Sequence, residues 1–250
     1  MHRFFAPSLD AGDETVTLPR DEGEHLTRVL RLTAGDTVAV FDGRGREFLA
    51  RVVGPAVAGR RRDISLQLLS RVEPAEEPSV ALTLVQAVLK ADKMDDVVRD
   101  AVMLGAAAIH PIVTDRTEVT VAAVMKGTRL DRWRRVALAS VKQSRRATLP
   151  EIRMPLRFSD FLDEPPTAIR LMLVEPSAAV RVESIGALRS EPIPSDAAVL
   201  VGPEGGWTEG ECTLARERGV RLVCLGRRTL RADATPIAAI SVLQFLWNDL

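Results

Sequence analysis

The chain has 250 residues, 46% hydrophobic and 27% charged, with 34 Lys and Arg against 34 Asp and Glu. These proportions read as a soluble globular protein of one large or two smaller domains with a sizeable core. No stretch approaches the roughly 20 apolar residues that span a bilayer as a helix, so no membrane-spanning helix is expected. The start, Met1-His2-Arg3-Phe4-Phe5-Ala6-Pro7, has no sustained apolar region and does not read as a signal peptide.

Residues 1 to about 72 read as short strands. Thr37 to Phe41 ends at the Asp42-Gly43 turn signal, with Arg46 to Val53 as the return strand. Ile64 to Val72 alternates in part, and a helical stretch, Glu22 to Leu30, precedes Gly35-Asp36. The pattern predicts a compact β-barrel-like module. Glu73 to Pro78, rich in proline and acid, reads as a linker. The expected domains are therefore 1–72 and 73–250.

From Val80 the period changes. Ala81 to Ala87 is near-continuously apolar, the mark of a strand buried on both faces of a parallel sheet. Asp92 is placed to cap a helix with Met94, Val97, Val98, Ala101 and Leu104 on one face, ending at Gly105. Ile109 to Val113 is the next strand. Leu130 to Ser144 predicts an amphipathic helix with Leu130, Trp133, Ala137 and Val141 inward. Ile169 to Val174, Ala198 to Val201 and Arg221 to Leu225 give three further strands, and Thr235-Pro236 opens a last helix. Ile237 to Leu246 is apolar almost all round, which predicts burial in the core or at a subunit interface. Strands alternating with helices predict an α/β fold.

Cys212 and Cys224, the only cysteines, read as small core residues of a reducing, cytoplasmic compartment. His2, His25 and His110 are scattered and no metal site is expected. From Arg129 to Arg157 there are nine basic residues against Asp131 and Glu151. That cluster is a candidate polyanion surface, or else a solvated helix face.

The most informative run is Ala198 to Glu211. An apolar strand enters the glycine-rich turn Gly202-Pro203-Glu204-Gly205-Gly206, and Thr208 with Glu211 three residues on forms a capping box that starts a helix. Such strand–loop–helix corners bind small molecules in open α/β sheets. The loop is neither a Walker A sequence nor a G-x-G-x-x-G fingerprint, and by itself it is compatible with several ligands or with a tight turn that binds none. A second irregular loop, Leu225-Gly226-Arg227-Arg228-Thr229-Leu230-Arg231-Ala232-Asp233-Ala234-Thr235, follows the next strand. Gln143-Ser144-Arg145-Arg146 with Leu149-Pro150 adds polar and cationic groups.

Taken together, these segments resemble the bacterial 16S ribosomal RNA (uracil-N3)-methyltransferase family of the SPOUT superfamily. The matching residues are His25-Leu26 through Val29-Leu30-Arg31, Gly35-Asp36, Asp42-Gly43, Lys90 to Gly105, Gln143 to Pro150, Gly202 to Gly206, and Leu225-Gly226 with Leu230-Arg231. The resemblance implies a PUA-like N-terminal β-barrel that binds RNA and a C-terminal α/β domain tied in a trefoil knot. It also implies a homodimer, S-adenosylmethionine as cofactor and the small ribosomal subunit as partner. The cofactor would lie against Leu173, Val201, Gly202, Pro203, Glu204, Gly205, Gly206, Leu225, Gly226 and Leu230. Arg231, with Asp233 or Glu204 as base, would serve methyl transfer to an unpaired or flipped-out uridine. Arg28, Arg31, Lys90, Gln143, Arg145 and Arg146 would meet RNA. The chain departs from the family at Ala232-Asp233-Ala234-Thr235, where Leu-Arg-Thr-Glu-Thr-Ala is usual across the loop, and at Met103 and Lys142, where glutamate is usual. These departures keep two other readings open. One is a methyltransferase of the superfamily acting on a different ribosomal or transfer RNA nucleotide, and the other a non-catalytic ribosome-assembly factor.

Overall fold

The computed structural model describes residues 1–55, 63–176 and 182–250. The chain forms two compact units, Met1–Glu77 with Val141–Leu149, and Pro78–Ser140 with Pro150–Leu250. The segment 141–149 thus belongs with the N-terminal strands, from which it is distant in sequence.

In the first unit, β1 (Arg3–Phe5), β2 (Thr15–Thr17), β3 (Thr37–Phe41), β4 (Glu47–Pro55) and β5 (Ile64–Val72) form one sheet in the order β1-β3-β4-β5-β2. β1 runs parallel to β3, and the other pairs are antiparallel. The expected helix is a short α1 (Arg20–Glu24) that continues as a π-turn over His25–Val29. Phe4, Leu9, Leu26, Val38, Val40 and Leu66 fill the core. At the β3–β4 turn the Asp42 carboxylate accepts from the amides of Arg44 (2.7 Å) and Arg46 (3.0 Å), and Gly43 takes φ +78°, which explains the Asp-Gly signal.

Arg3 ties the 141–149 segment in place. Its guanidinium donates twice to Glu47, both at 2.8 Å, and also to the carbonyls of Val141, Lys142 and Arg146. These carbonyls lie at and just beyond a helix C-terminus, where intrahelical partners run out and a cation is favoured. Arg3 also lies over the Phe41 ring.

The second unit holds an all-parallel sheet. Its strands are β6 (Ala81–Ala87), β7 (Ala108–Val113), β8 (Glu151–Ile152), β9 (Leu156–Arg157), β10 (Ile169–Leu173), β11 (Glu183–Ser184), β12 (Asp196–Val201) and β13 (Arg221–Cys224). The order is β11-β13-β10-β12-β6-β7-β8, with β9 on β7. The chain steps outward from β6 to β7, then returns to the other side of β6 through β12, β10 and β13. The order therefore reverses between β6 and β12, where Val201 lies opposite Gln86. Ligands of open parallel sheets bind at such reversals, beyond the carboxyl ends of the strands.

The helices are α2 (Lys93–Met103), α3 (Val121–Lys126), α4 (Arg129–Ser144), α5 (Phe158–Leu162), α6 (Glu209–Glu217) and α7 (Thr235–Leu246). In α2, Met94, Val97, Val98 and Ala101 are buried as the period requires, and Gly105 follows at φ +89°. Asp92 precedes α2 but makes no side-chain cap; its carboxylate instead pairs with Arg132 at 2.9 Å. The inward face of α4 holds Leu130, Trp133, Ala137 and Val141, all buried. In α7, Ala239, Ile240 and Leu243 are buried, whereas Ile237 and Phe245 are 41% and 61% exposed. Only one face of that apolar helix enters the core of this chain.

Candidate functional site

A pocket of about 740 Å³ opens beyond the carboxyl ends of β10, β12 and β13, walled by the three loops that leave those strands. Leu173, Val201, Leu225 and Leu230 supply apolar surface, and residues 202–206 form one side. Arg231 and Asp233 line the same cavity, so the two loops that the sequence singled out do converge. Of the expected cofactor residues only Gly226, at φ +136°, lies outside the lining.

The glycine loop is held by named contacts. The Trp207 indole donates from Nε1 to the Leu173 carbonyl at 2.8 Å and packs against Phe158, ring centroids 5.1 Å apart. A Cβ at Gly202, just after β12, would lie 3.1 Å from that indole, tighter than ordinary van der Waals contact, so any side chain there would require the ring to shift. Gly206 takes φ +68°, and its amide closes a turn onto the Pro203 carbonyl at 2.9 Å. The predicted capping box is present: the Glu211 amide donates to Thr208 Oγ1 (3.2 Å), and the Thr208 amide donates to Glu211 Oε2 (2.8 Å).

Glu204, a candidate base, is engaged otherwise. One of its oxygens accepts from Lys93 Nζ (2.9 Å) and from the Lys90 amide (3.2 Å). Burial pushes its carboxyl up, but Lys93 and the backbone amides outweigh burial and hold it below the ordinary carboxylate range. A carboxylate so stabilised is a poor base, and its position is that of a loop brace. Asp233 accepts from Arg231 at 3.1 Å and 3.0 Å, which fixes the plane of an otherwise exposed guanidinium.

The expected RNA residues divide. Arg28, Arg31, Gln143 and Arg145 are exposed on the N-terminal unit. Lys90, in the other unit, pairs with Glu118. Arg146 is a correction. It is 4% exposed, with its guanidinium paired to Glu77, so it braces the N-terminal unit and offers no surface to RNA. The basic run 129–157 is thinned in the same way. Arg132, Arg134, Lys142, Arg146 and Arg153 each have a carboxylate partner, which leaves Arg129, Arg135, Arg145 and Arg157 without an ion pair among the described residues.

Arg228 and Thr229, of the Leu225–Arg231 loop expected at the cofactor, line the pocket, as do Lys93, Arg116, Glu175 and Trp207, which were not foreseen. Trp207, beside the glycines, carried a signal. Arg116 carried none, because nothing in sequence joins the turn after β7 to a loop some ninety residues on.

Residues 75–244 match the RNA methyltransferase domain family, and residues 18–56 match the RNA methyltransferase PUA domain. The fold and the pocket are those of a two-domain RNA methyltransferase. Ribosomal RNA small subunit methyltransferase E of Synechocystis is 32% identical over 94% of this chain and 74% of its own. The enzyme of the same name from Aquifex aeolicus is 31% identical over 97% and 99%. A crystal structure of that methyltransferase from Neisseria gonorrhoeae, bound to S-adenosyl methionine, superposes with a TM-score of 0.86 at 31% identity, covering 99% of this chain and 98% of the other. The chain belongs to the ribosomal RNA small subunit methyltransferase E family.

Proposed function

We propose that this chain methylates N3 of a specific uridine in 16S ribosomal RNA, in the small subunit, with S-adenosylmethionine as the methyl donor. The observation that carries the reading is the pocket beyond the carboxyl ends of β10, β12 and β13. Its volume, about 740 Å³, is within the usual range for small-molecule sites of this size of ligand. Its donor set suits a nucleoside. Among the described residues, the amides of Arg228 to Leu230, on the pocket wall, donate to no backbone carbonyl, and the four apolar side chains beside them suit an adenine ring.

The cofactor supplies an electrophilic methyl on a sulfonium. Leu173, Val201, Leu225, Leu230 and the 202–206 backbone hold and orient it, and alignment for in-line transfer is the main catalytic contribution of such a site. Uracil N3 must lose its proton, and the Asp233 carboxylate, on the pocket wall, is its proposed acceptor. Arg231, its guanidinium plane set by Asp233, stabilises the negative charge that develops on the base. Glu204 keeps the loop in shape. Arg28, Arg31, Gln143 and Arg145 of the N-terminal unit, and Lys90, meet the RNA backbone, and the uridine is unpaired or flipped so that its Watson–Crick edge is reachable. The N-terminal unit is the RNA-binding domain, and the second unit is a knotted catalytic one. The protein acts in the cytoplasm as a homodimer, with the exposed Ile237 and Phe245 of α7 covered by the second copy.

The test is methylation of small subunits that lack the modification, using labelled cofactor, with the product mapped by nuclease digestion and mass spectrometry. The expected label is one methyl on uracil N3 of one 16S nucleotide. Label on another atom or another RNA refutes the substrate, and failure to bind S-adenosylmethionine in calorimetry refutes the enzyme.

A further inference from the structure

The turn after β7 is clamped onto the glycine loop. The turn is braced within itself: the Thr117 amide donates to the Thr114 carbonyl (3.2 Å), the Thr114 amide donates to Thr117 Oγ1 (3.1 Å), and the two hydroxyls are 2.9 Å apart. From this anchor, Arg116 Nη1 donates to the Gly205 carbonyl at 2.7 Å and to the Trp207 carbonyl at 3.3 Å. The Asp115 amide donates to Glu211 Oε1 at 2.9 Å, and Thr208 Oγ1 lies 3.3 Å from Asp115 Oδ2. Four contacts therefore join the turn to the loop and to the first turn of α6.

The Arg116 contact falls on the loop's weakest joint. Gly205 and Gly206 have no side chains to restrict them, and the peptide between them could rotate at little cost. Here it is pinned on both sides. Its carbonyl is held by Arg116, and its amide is held by the Pro203 carbonyl at 2.9 Å. The aliphatic stem of Arg116 also packs on Gly205, close enough that a Cβ there would lie 3.2 Å from Arg116 Cβ. We propose that Arg116 is a positioning residue for the cofactor, acting through the Gly205–Gly206 peptide. It keeps the empty loop in the shape that receives the ligand. Without it, only a fraction of molecules is competent at any moment, and apparent affinity falls by that fraction.

This rests on the reading of the pocket as an S-adenosylmethionine site, and the experiment has one arm independent of it. Arg116→Ala and Arg116→Lys are made in the full chain, and hydrogen exchange of peptides covering 203–207 is measured without ligand. Dissociation constants for S-adenosylmethionine are then measured by calorimetry. With Arg116→Ala we expect faster exchange in 203–207, and a dissociation constant raised by about tenfold, the scale of one charge-assisted hydrogen bond. KM for the cofactor should rise with it while kcat is nearly held, because the bound ligand restores the loop. Arg116→Lys, which keeps a donor, should recover part of the affinity. Weakened binding with unchanged exchange overturns the proposal, since Arg116 would then touch the ligand directly. Unchanged exchange and unchanged affinity overturn it outright. If the parent protein binds no S-adenosylmethionine, the function falls, and the exchange arm still decides whether Arg116 orders the loop.

Discussion

Gly202→Ala tests the packing beneath the pocket. The added methyl would lie 3.1 Å from both Cε2 and Nε1 of Trp207 and 3.4 Å from Cδ1. The indole cannot easily recoil, because Nε1 is bonded to the Leu173 carbonyl at 2.8 Å and Phe158 packs on the ring. Forcing one methyl into a packed site costs about 1–3 kcal/mol. For a domain of this size that is a fall in Tm of roughly 2–4 °C per kcal/mol. The assay is urea and thermal unfolding followed by circular dichroism, with the double variant Gly202→Ala/Trp207→Ala. Alanine at 207 removes the ring that the methyl would strike. The cost of Gly202→Ala should therefore fall by more than half in that background, a coupling of about 1 kcal/mol. A Gly202→Ala protein that melts with the parent would refute the reasoning. So would an equal cost in both backgrounds, because the clash would then lie elsewhere.

Arg231→Ala should lower turnover by about 100-fold or more with S-adenosylmethionine affinity kept, read by single-turnover methylation beside calorimetry; full activity would remove its role. Thr208→Ala removes the α6 cap and should cost about 1 kcal/mol in urea unfolding, with Thr208→Ser restoring most of it. His110 gives a pH dependence. Burial holds its imidazole below the usual value of about 6.5, against an upward pull from Glu164, whose Oε2 is 3.6 Å from Nδ1. The unfolded chain therefore takes up a proton that the folded one resists. The stability is complete above about pH 6.5 and is lost as pH falls from there to the lowered folded value, at up to about 1.4 kcal/mol per pH unit. Unfolding free energy measured across that range should show this slope, and His110→Gln should flatten it.

Much of the fold was legible because it depends on local periods. β3, β5 and β6 fall on the residues that alternation and continuous apolar runs marked, and α7 begins at its Thr-Pro signal. The elements missed, such as β1, β2, β8 and β9, have two or three residues, too few for any period to register. The glycine loop and its capping box were legible for a similar reason, since backbone turns and helix starts are set by residues a few positions apart. What Asp92 and Arg146 do was not. Each has a residue type with an obvious local use, and each is taken up by a charge distant in sequence, Arg132 and Glu77.

The sequence by itself therefore determined where strands turn into loops, which loops carry glycine, and which family the chain resembles, because those properties lie in neighbouring residues. The tertiary structure alone settled which charges remain free for a ligand and which are spent on one another. It placed β12 between β10 and β6, so that three loops far apart in the chain enclose one pocket. It also brought Arg116 to the Gly205 carbonyl. The reason is physical: a hydrogen bond or ion pair depends on distances of about 3 Å in space, and separation along the chain carries no record of them.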